Sequence, residues 1–161
     1  MNVSVYSREA VEEIIKIGEF PENTAVISYY DTVERHFDGE YVPVDFSGVC
    51  SSDDIFYIEL DDYDLEFIIR KGGTYESFFP YADDLAEFIY KVYKSGKDII
   101  CQCEYGQSRS AGTAAAIMEH FYHSGIDIFS DYRYYPNRVV YHKVFDALRH
   151  NHSIIYGYEK S

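Results

Sequence analysis

The sequence predicts a single α/β domain over residues 1–161, with a mainly parallel central sheet and helices on both faces. Two observations predict it. Strand-like and helix-like segments alternate along the chain, as they do when crossover helices join parallel strands. In addition, 47% hydrophobic residues, in a length that fits one domain, leave enough apolar surface for a core.

Apolar stretches at Val3–Val5, Ala25–Tyr30, Tyr41–Val44, Ile55–Leu60 and Asp98–Cys103 read as strands. A first helix follows Ser7, a good N-cap, runs through Val11, Ile14, Ile15 and Ile17, and ends at Gly18. From Tyr81 a second helix places Leu85, Phe88, Ile89 and Val92 on one face. Asp83 and Asp84 in its first turn and Lys91 and Lys94 near its end match the helix dipole, and Gly96 stops it. A third helix is expected from about Arg109 to Ser124, ending at Gly125. Its stretch AGTAAAIM is small and apolar nearly all round, as in a central buried helix. The last helix begins near Pro136, a favourable first-turn residue, with Val140, Val144 and Leu148 four apart. The least ordered stretches are expected at Arg70–Gly73 and after Asn151.

Net charge is −14, from 28 acidic and 14 basic residues. That field repels polyanions, so neither nucleic acid nor anionic membrane is an expected partner. No run of about 18 apolar residues exists, so no membrane span is expected. The first residues, MNVSVYSREAVEEII, lack a basic region followed by an apolar stretch, so no secretion signal is read. Three cysteines do not make a disulfide framework, which points to a reducing cytoplasm. The 18 Tyr and 11 Phe, with no Trp, suit a core boundary where rings are buried and hydroxyls stay wet.

The chemistry concentrates after the strand DIICQC. Cys103, Glu104, Tyr105, Gly106, Gln107, Ser108, Arg109 and Ser110 follow one another there, and a helix begins. A strand–loop–helix turn of this kind aims backbone N–H groups and a helix N-terminus at one point, a cradle for phosphate oxygens. Cys103 at its edge feels the same positive field. Cysteines so placed fall to pKa values of roughly 3.5–7.5. Arg109 offers a planar fork suited to two phosphate oxygens at once. Gly106 allows a tight turn with the backbone close to the ligand.

The run Cys103-x5-Arg109-Ser110 resembles the phosphate-binding loop of cysteine-based protein tyrosine phosphatases. Its Gly three after the Cys and its Ser-Arg-Ser ending are similar to the small, dual-specificity-like members. AVISYYD at Ala25–Asp31 and YIELDDYD at Tyr57–Asp64 resemble the strands that precede the loop in bacterial phosphatases of this type. SRSAGTAAAI resembles their central helix, and Pro136-Asn137-Arg138-Val139 the start of their final helix. The resemblance covers roughly residues 24 to 150. In one departure, Gln102 stands where the family usually has His, a residue that sets loop geometry and thiol acidity there.

The resemblance implies a phosphate-binding loop of Glu104, Tyr105, Gly106, Gln107, Ser108 and Arg109, with Cys103 as nucleophile. It gives Ser110 a hydroxyl that bonds the thiolate and eases release of the phosphoenzyme, and Asn137 the task of propping the loop. It also places a general acid just after the strand upstream of the nucleophile. Aligning Ile58 and Leu60 with the family's alternating strand residues puts that acid at Asp62, with Asp61 as the alternative and Asp64 after it. Cys50 and Cys101 read as plain buried cysteines, a redox partnership with Cys103 being the minority reading. His120/His123 and His150/His152 lack Cys or carboxylate partners at ligand spacing and read as surface residues rather than metal ligands.

The implied reaction is phosphomonoester hydrolysis through a phosphocysteine, without metal or organic cofactor. The expected substrate is a phosphorylated protein or peptide, because the loop is non-basic and the chain acidic. Two rivals stand beside it: a phospho-residue-binding module with negligible turnover, and a sulfurtransferase carrying sulfur on Cys103.

Overall fold

Parallel pairing organises the molecule. In the computed structural model, which describes residues 1–32 and 41–156, four strands lie in the order β1-β4-β2-β3 and every neighbour is parallel. They are β1 (Val3–Ser7), β2 (Thr24–Tyr30), β3 (Ile55–Glu59) and β4 (Asp98–Cys103). The helices are α1 (Arg8–Lys16), α2 (Leu65–Arg70), α3 (Ala82–Lys94), α4 (Arg109–Tyr122), α5 (Ile126–Phe129) and α6 (Arg138–Tyr156). A 3₁₀ turn at Ser52–Asp54 leads into β3. The expected α/β architecture is the one observed.

The pleat sorts β2 and β4 between two cores. Ala25, Ile27 and Tyr29, with Ile99, Cys101 and Cys103, face a large cluster shared with α3, α4 and α6. Val26 and Ile100 face a smaller one with Val11, Val44 and Phe46. Covered on both sides, these strands are near-continuous apolar runs, as buried parallel strands are. Ser28 and Gln102 interrupt them on the smaller side and satisfy each other, Ser28 Oγ donating to Gln102 Oε1 at 2.5 Å.

Local signals set most boundaries. Ser7 caps α1 by accepting from Ala10 N at 3.0 Å, and Gly18 follows with φ 75°. Within α4, Ala111 and Ala114–Ile117 are fully buried, as the small-residue run implied. A Cβ on Gly112 would lie 2.6 Å from Asn137 O, so only glycine lets α4 approach the start of α6 this closely.

Four expectations need correction. Tyr41–Val44 joins no ladder. Val42 O accepts from Arg8 and Val44 O from Tyr57 Oη, so this apolar stretch belongs to a strap over the smaller core. Arg70–Gly73 is an ordered helix end, not the loosest stretch. Gly72 N bonds Ile69 O and Gly73 N bonds Ile68 O, each at 2.9 Å, with Gly72 at φ 86°. The Gly pair is thus a Schellman-type cap to α2, a helix the sequence reading did not contain. The third helix stops at Tyr122 with His123 left-handed at φ 54°, short of Gly125. The last continues past Asn151 to Tyr156, while residues 157–161 lie outside the described residues. Among the described residues no helix is long and apolar enough to cross a membrane.

Candidate active site

β4 delivers Cys103 to the C-terminal edge of the sheet, and α4 starts six residues later with Arg109. The loop between them is held from outside. Glu104 O accepts from Arg8 N at 3.1 Å, Gln107 O from Tyr135 N at 2.8 Å, and Ser108 O from Gly112 N and Asn137 N at 2.8 and 3.0 Å. In a trans peptide the N–H points opposite to the carbonyl. Outward carbonyls at 104, 107 and 108 therefore turn the N–H groups of 105, 108 and 109 inward, a concave set of donors for an anion. Gly106 makes the turn at φ 65°, packed so tightly on the β1–α1 junction that a Cβ would sit 2.5 Å from Ser7 N. Of the other residues, Tyr105 is exposed, whereas Glu104 is half-buried and its Oε2 accepts from Tyr41 Oη at 3.1 Å.

The nucleophile candidate and its neighbours lie close together. Cys103 Sγ lies 3.0 Å from Ser110 Oγ, both buried. Gln102, also buried, donates from Nε2 to Cys103 O at 3.0 Å. Gln102 is thus a fixed brace from Ser28 to the main chain of Cys103.

Arg109 is 3% exposed. Its Nη1 donates to Asp31 Oδ1 at 2.7 Å and to Leu60 O at 2.5 Å, and its buried Nε has no hydrogen-bond partner among the described residues. A buried guanidinium nitrogen left with a free N–H is a donor in need of an acceptor, and an oxyanion in the loop supplies one. Burial works against the charge, but Cys103, Asp31 and Asp62 outweigh it and raise the guanidinium above its ordinary range.

The three acid candidates occupy three different places. Asp62 is exposed on the rim, where Oδ1 accepts from Ser108 Oγ at 2.6 Å and from Asn137 Nδ2 at 2.9 Å. Asp61 is buried, and its two oxygens take Thr32 N at 2.9 Å and Thr32 Oγ1 at 2.7 Å. Asp64 caps α2, accepting from Phe67 N at 2.8 Å. Asn137 also donates to Tyr63 O at 2.9 Å and accepts from Val140 N at 3.0 Å. It therefore ties the Asp62 loop, the Cys103–Arg109 loop and the start of α6 together.

Sequence reasoning gave no role to Asp31 or Thr32. Their partners lie 78 and 29 residues away, so nothing local signalled them beyond an Asp closing a strand. The remaining cysteines stand apart from the chemistry. Burial drives the Cys101 thiol strongly upward, and burial with nearby Asp54 pushes Cys50 up to about 11. All three cysteines are free. His120 is not the surface residue expected. It is half-buried, its Nε2 2.6 Å from Tyr90 Oη, with burial lowering it to about 4.

Two hollows flank the loop. One, of about 580 Å³, is lined by Arg8, Glu9, Glu12, Glu13 and Lys16 of α1 with Ser7, Glu104 and Tyr105. The other, of about 360 Å³, lies between Asp62, Asp64, Ser108 and the Tyr135–Val139 segment.

No protein-family model and no curated protein matches the sequence. Solved structures do match the fold. The human tyrosine phosphatase-like serine/threonine/tyrosine-interacting protein superposes with a TM-score of 0.52 at 15% identity, covering 92% of this chain and 86% of that one. Cydia pomonella PTP-2 phosphatase gives 0.52 at 12% identity, covering 91% and 85%. PTPMT1 in complex with PI(5)P gives 0.50 at 11% identity, covering 96% and 94%. At such identities the likeness is one of fold. The chain has a protein-tyrosine-phosphatase-like fold.

Proposed function

We propose that this chain is a cysteine-dependent phosphatase, of the small dual-specificity-like type found in bacteria, acting on phosphotyrosine in proteins or peptides. One observation carries the reading. Cys103 Sγ and Ser110 Oγ sit 3.0 Å apart beside a buried guanidinium whose Nε still lacks an acceptor. Cys103 sulfur attacks phosphorus in line, and the P–O bond to the leaving group breaks as Asp62 gives that oxygen its proton. Arg109 and the inward N–H groups stabilise the charge on the three equatorial oxygens. Asp62, now a carboxylate, takes a proton from water. The resulting hydroxide displaces sulfur from phosphorus, and the Ser110 hydroxyl donates to the departing thiolate.

The substrate class rests on charge. Glu104 begins the loop, and in the lining of the adjoining hollow Glu9, Glu12 and Glu13 outnumber Arg8 and Lys16. This surface repels polyanionic headgroups and suits a single phosphate on a peptide. Three free cysteines fit a reducing cytoplasm. The PTPMT1 structure holds PI(5)P, so lipid is the comparison that matters.

A second reading has two supports. The human neighbour is named as a phosphatase-like interacting protein, and Gln102 departs from the usual His. A binding module would hold phosphopeptide with negligible turnover, and a sulfurtransferase would consume thiosulfate. Assays of p-nitrophenyl phosphate and thiosulfate, run with EDTA, separate the three. Expected is p-nitrophenyl phosphate hydrolysis that survives EDTA and vanishes in Cys103→Ser.

A further inference from the structure

Asp61 and Asp62 are adjacent, yet their carboxyl groups face different worlds. Asp62 is on the exposed rim, whereas Asp61 is 6% exposed and both its oxygens are engaged by one residue, Thr32. Those two bonds close a ring. Thr32 follows Asp31, whose Oδ1 takes Arg109 Nη1 at 2.7 Å. Asp61 follows Leu60, whose carbonyl takes the same Nη1 at 2.5 Å. The route Arg109–Asp31–Thr32–Asp61–Leu60 returns to Arg109, and the link from Thr32 to Asp61 is its only one made by the Asp61 side chain.

A ring of this kind fixes direction. Two acceptors on separate loops hold one nitrogen of the guanidinium. Their relative position sets the plane of the fork, and with it where Nε points. The Tyr30 O to Leu60 N bond at 3.0 Å already joins the two loops at the end of the β2–β3 ladder. One residue further on, Asp61 continues that joint through its side chain, where the backbone ladder has ended. Without it, the joint between Asp31 and Leu60 O loses one of its restraints, and the geometry that aims Arg109 Nε at an oxyanion loosens. A planar bidentate donor tolerates little misalignment, and an error near 1 Å in a reacting geometry costs about 10²-fold.

We infer that Asp61 is a positioning residue for the phosphate clamp, acting through Thr32 and Asp31 on Arg109, and does not deliver the proton. This rests on the phosphatase reading above only for its kinetic arm, because oxyanion binding reports the clamp directly.

Asparagine is the diagnostic substitution. Its Oδ1 accepts from Thr32 N, and its Nδ2 donates to Thr32 Oγ1, a hydroxyl that also accepts. A brace survives this change, whereas a general acid does not. The experiment is calorimetric titration of orthovanadate into wild type, Asp61→Asn, Asp61→Ala and Thr32→Val, with thermal midpoints and the pH profile of p-nitrophenyl phosphate turnover on the same preparations.

Asp61→Asn should bind vanadate within a fewfold of wild type and keep the basic limb of kcat/KM. Asp61→Ala should weaken vanadate by about 10–100-fold, raising KM more than it lowers kcat. Thr32→Val, which keeps the backbone bond, should fall between them, and it carries the result if Asp61→Ala does not fold. Wild-type vanadate affinity in both Asp61→Ala and Thr32→Val overturns the inference. So does an Asp61→Asn variant that binds vanadate normally but loses about 10²-fold in kcat together with the basic limb, for then Asp61 is the acid. If wild type binds vanadate without any turnover, the phosphatase reading fails while the binding series still decides the role of Asp61. If wild type does not bind vanadate at all, both fall.

Discussion

Ser108 Oγ donates to Asp62 Oδ1 across 2.6 Å, so the residue just before the guanidinium clamp is tethered to the candidate acid. With Asn137 on the same oxygen, the carboxyl is anchored through Oδ1, leaving Oδ2 as the oxygen to carry a proton. General acid catalysis is worth ~10²–10⁴-fold. Asp62→Ala and Asp62→Asn should both lower kcat by about that much, most for poor leaving groups, and both should lose the basic limb. Equal effects of Asp62→Asn on good and poor leaving groups would remove the acid role.

Ser110 predicts a change in which step limits the rate. Its hydroxyl lies 3.0 Å from Cys103 Sγ, where in the proposed reaction it would stabilise sulfur as sulfur leaves phosphorus. A hydrogen bond to a charged group is worth about 1.5–3 kcal/mol, so Ser110→Ala should slow dephosphorylation roughly 10–100-fold. A rapid-mixing assay should then show a burst of p-nitrophenol near one equivalent. A variant that slows without a burst contradicts this.

Gly106→Ala should disable the loop. The new Cβ would meet Ser7 N at 2.5 Å and Tyr6 C at 2.8 Å, both backbone, in a left-handed conformation. The β1–α1 junction and the loop must separate, with a loss in kcat/KM of about 10²-fold or more and a lower thermal midpoint. Wild-type kcat/KM in this variant would show that the tight packing there is not needed.

His120 predicts a pH-dependent stability unrelated to the reaction. Burial against Tyr90 holds it neutral down to about 4 in the folded chain, against about 6.5 when exposed. The unfolded state therefore binds the extra proton between those values, and stability falls as pH drops from about 6.5 toward 4. His120→Gln, which can still bond Tyr90 Oη, should flatten that part of the curve of thermal midpoint against pH. An unchanged slope would assign the acid sensitivity to other groups.

Substrate preference is tested directly by kcat/KM for a phosphotyrosine peptide and a phosphoinositide on one preparation. The peptide should be turned over much faster, and Glu104→Lys should narrow the gap by removing one negative charge and adding a positive one at the mouth of the loop. Lipid preference in wild type would reverse the assignment.

Much of this was legible because short-range chemistry wrote it. The Cys103-to-Ser110 spacing, the Ser7 cap and the small-residue run of α4 each act within a few residues of themselves, and each stands where the sequence reads it. Asp31 and Thr32 were illegible because their partners, beyond the ends of the neighbouring strands, lie 78 and 29 residues away in sequence. Helix α2 was missed since six residues, Leu65–Arg70, are too few to show a helical period, and its Gly-Gly end reads as looseness. Tyr41–Val44 misled because a short apolar run reports an extended, partly buried segment, paired or not.

The all-parallel order has a last consequence. Every strand points its C-terminal end to the same side, so Ser7, Asp31, Asp61 and Cys103 gather on one edge, and the turns entering β2, β3 and β4 gather on the other. At that far edge Asn23 Nδ2 reaches Gly96 O at 3.3 Å, and no residue of the phosphate loop takes part. The two edges are separable territories. Length changes, tags or inserted peptides at Gly18–Asn23 or Ser95–Lys97 load the fold without entering the chemistry, so this is the end by which the protein can be tethered, labelled or fused while its working edge stays open.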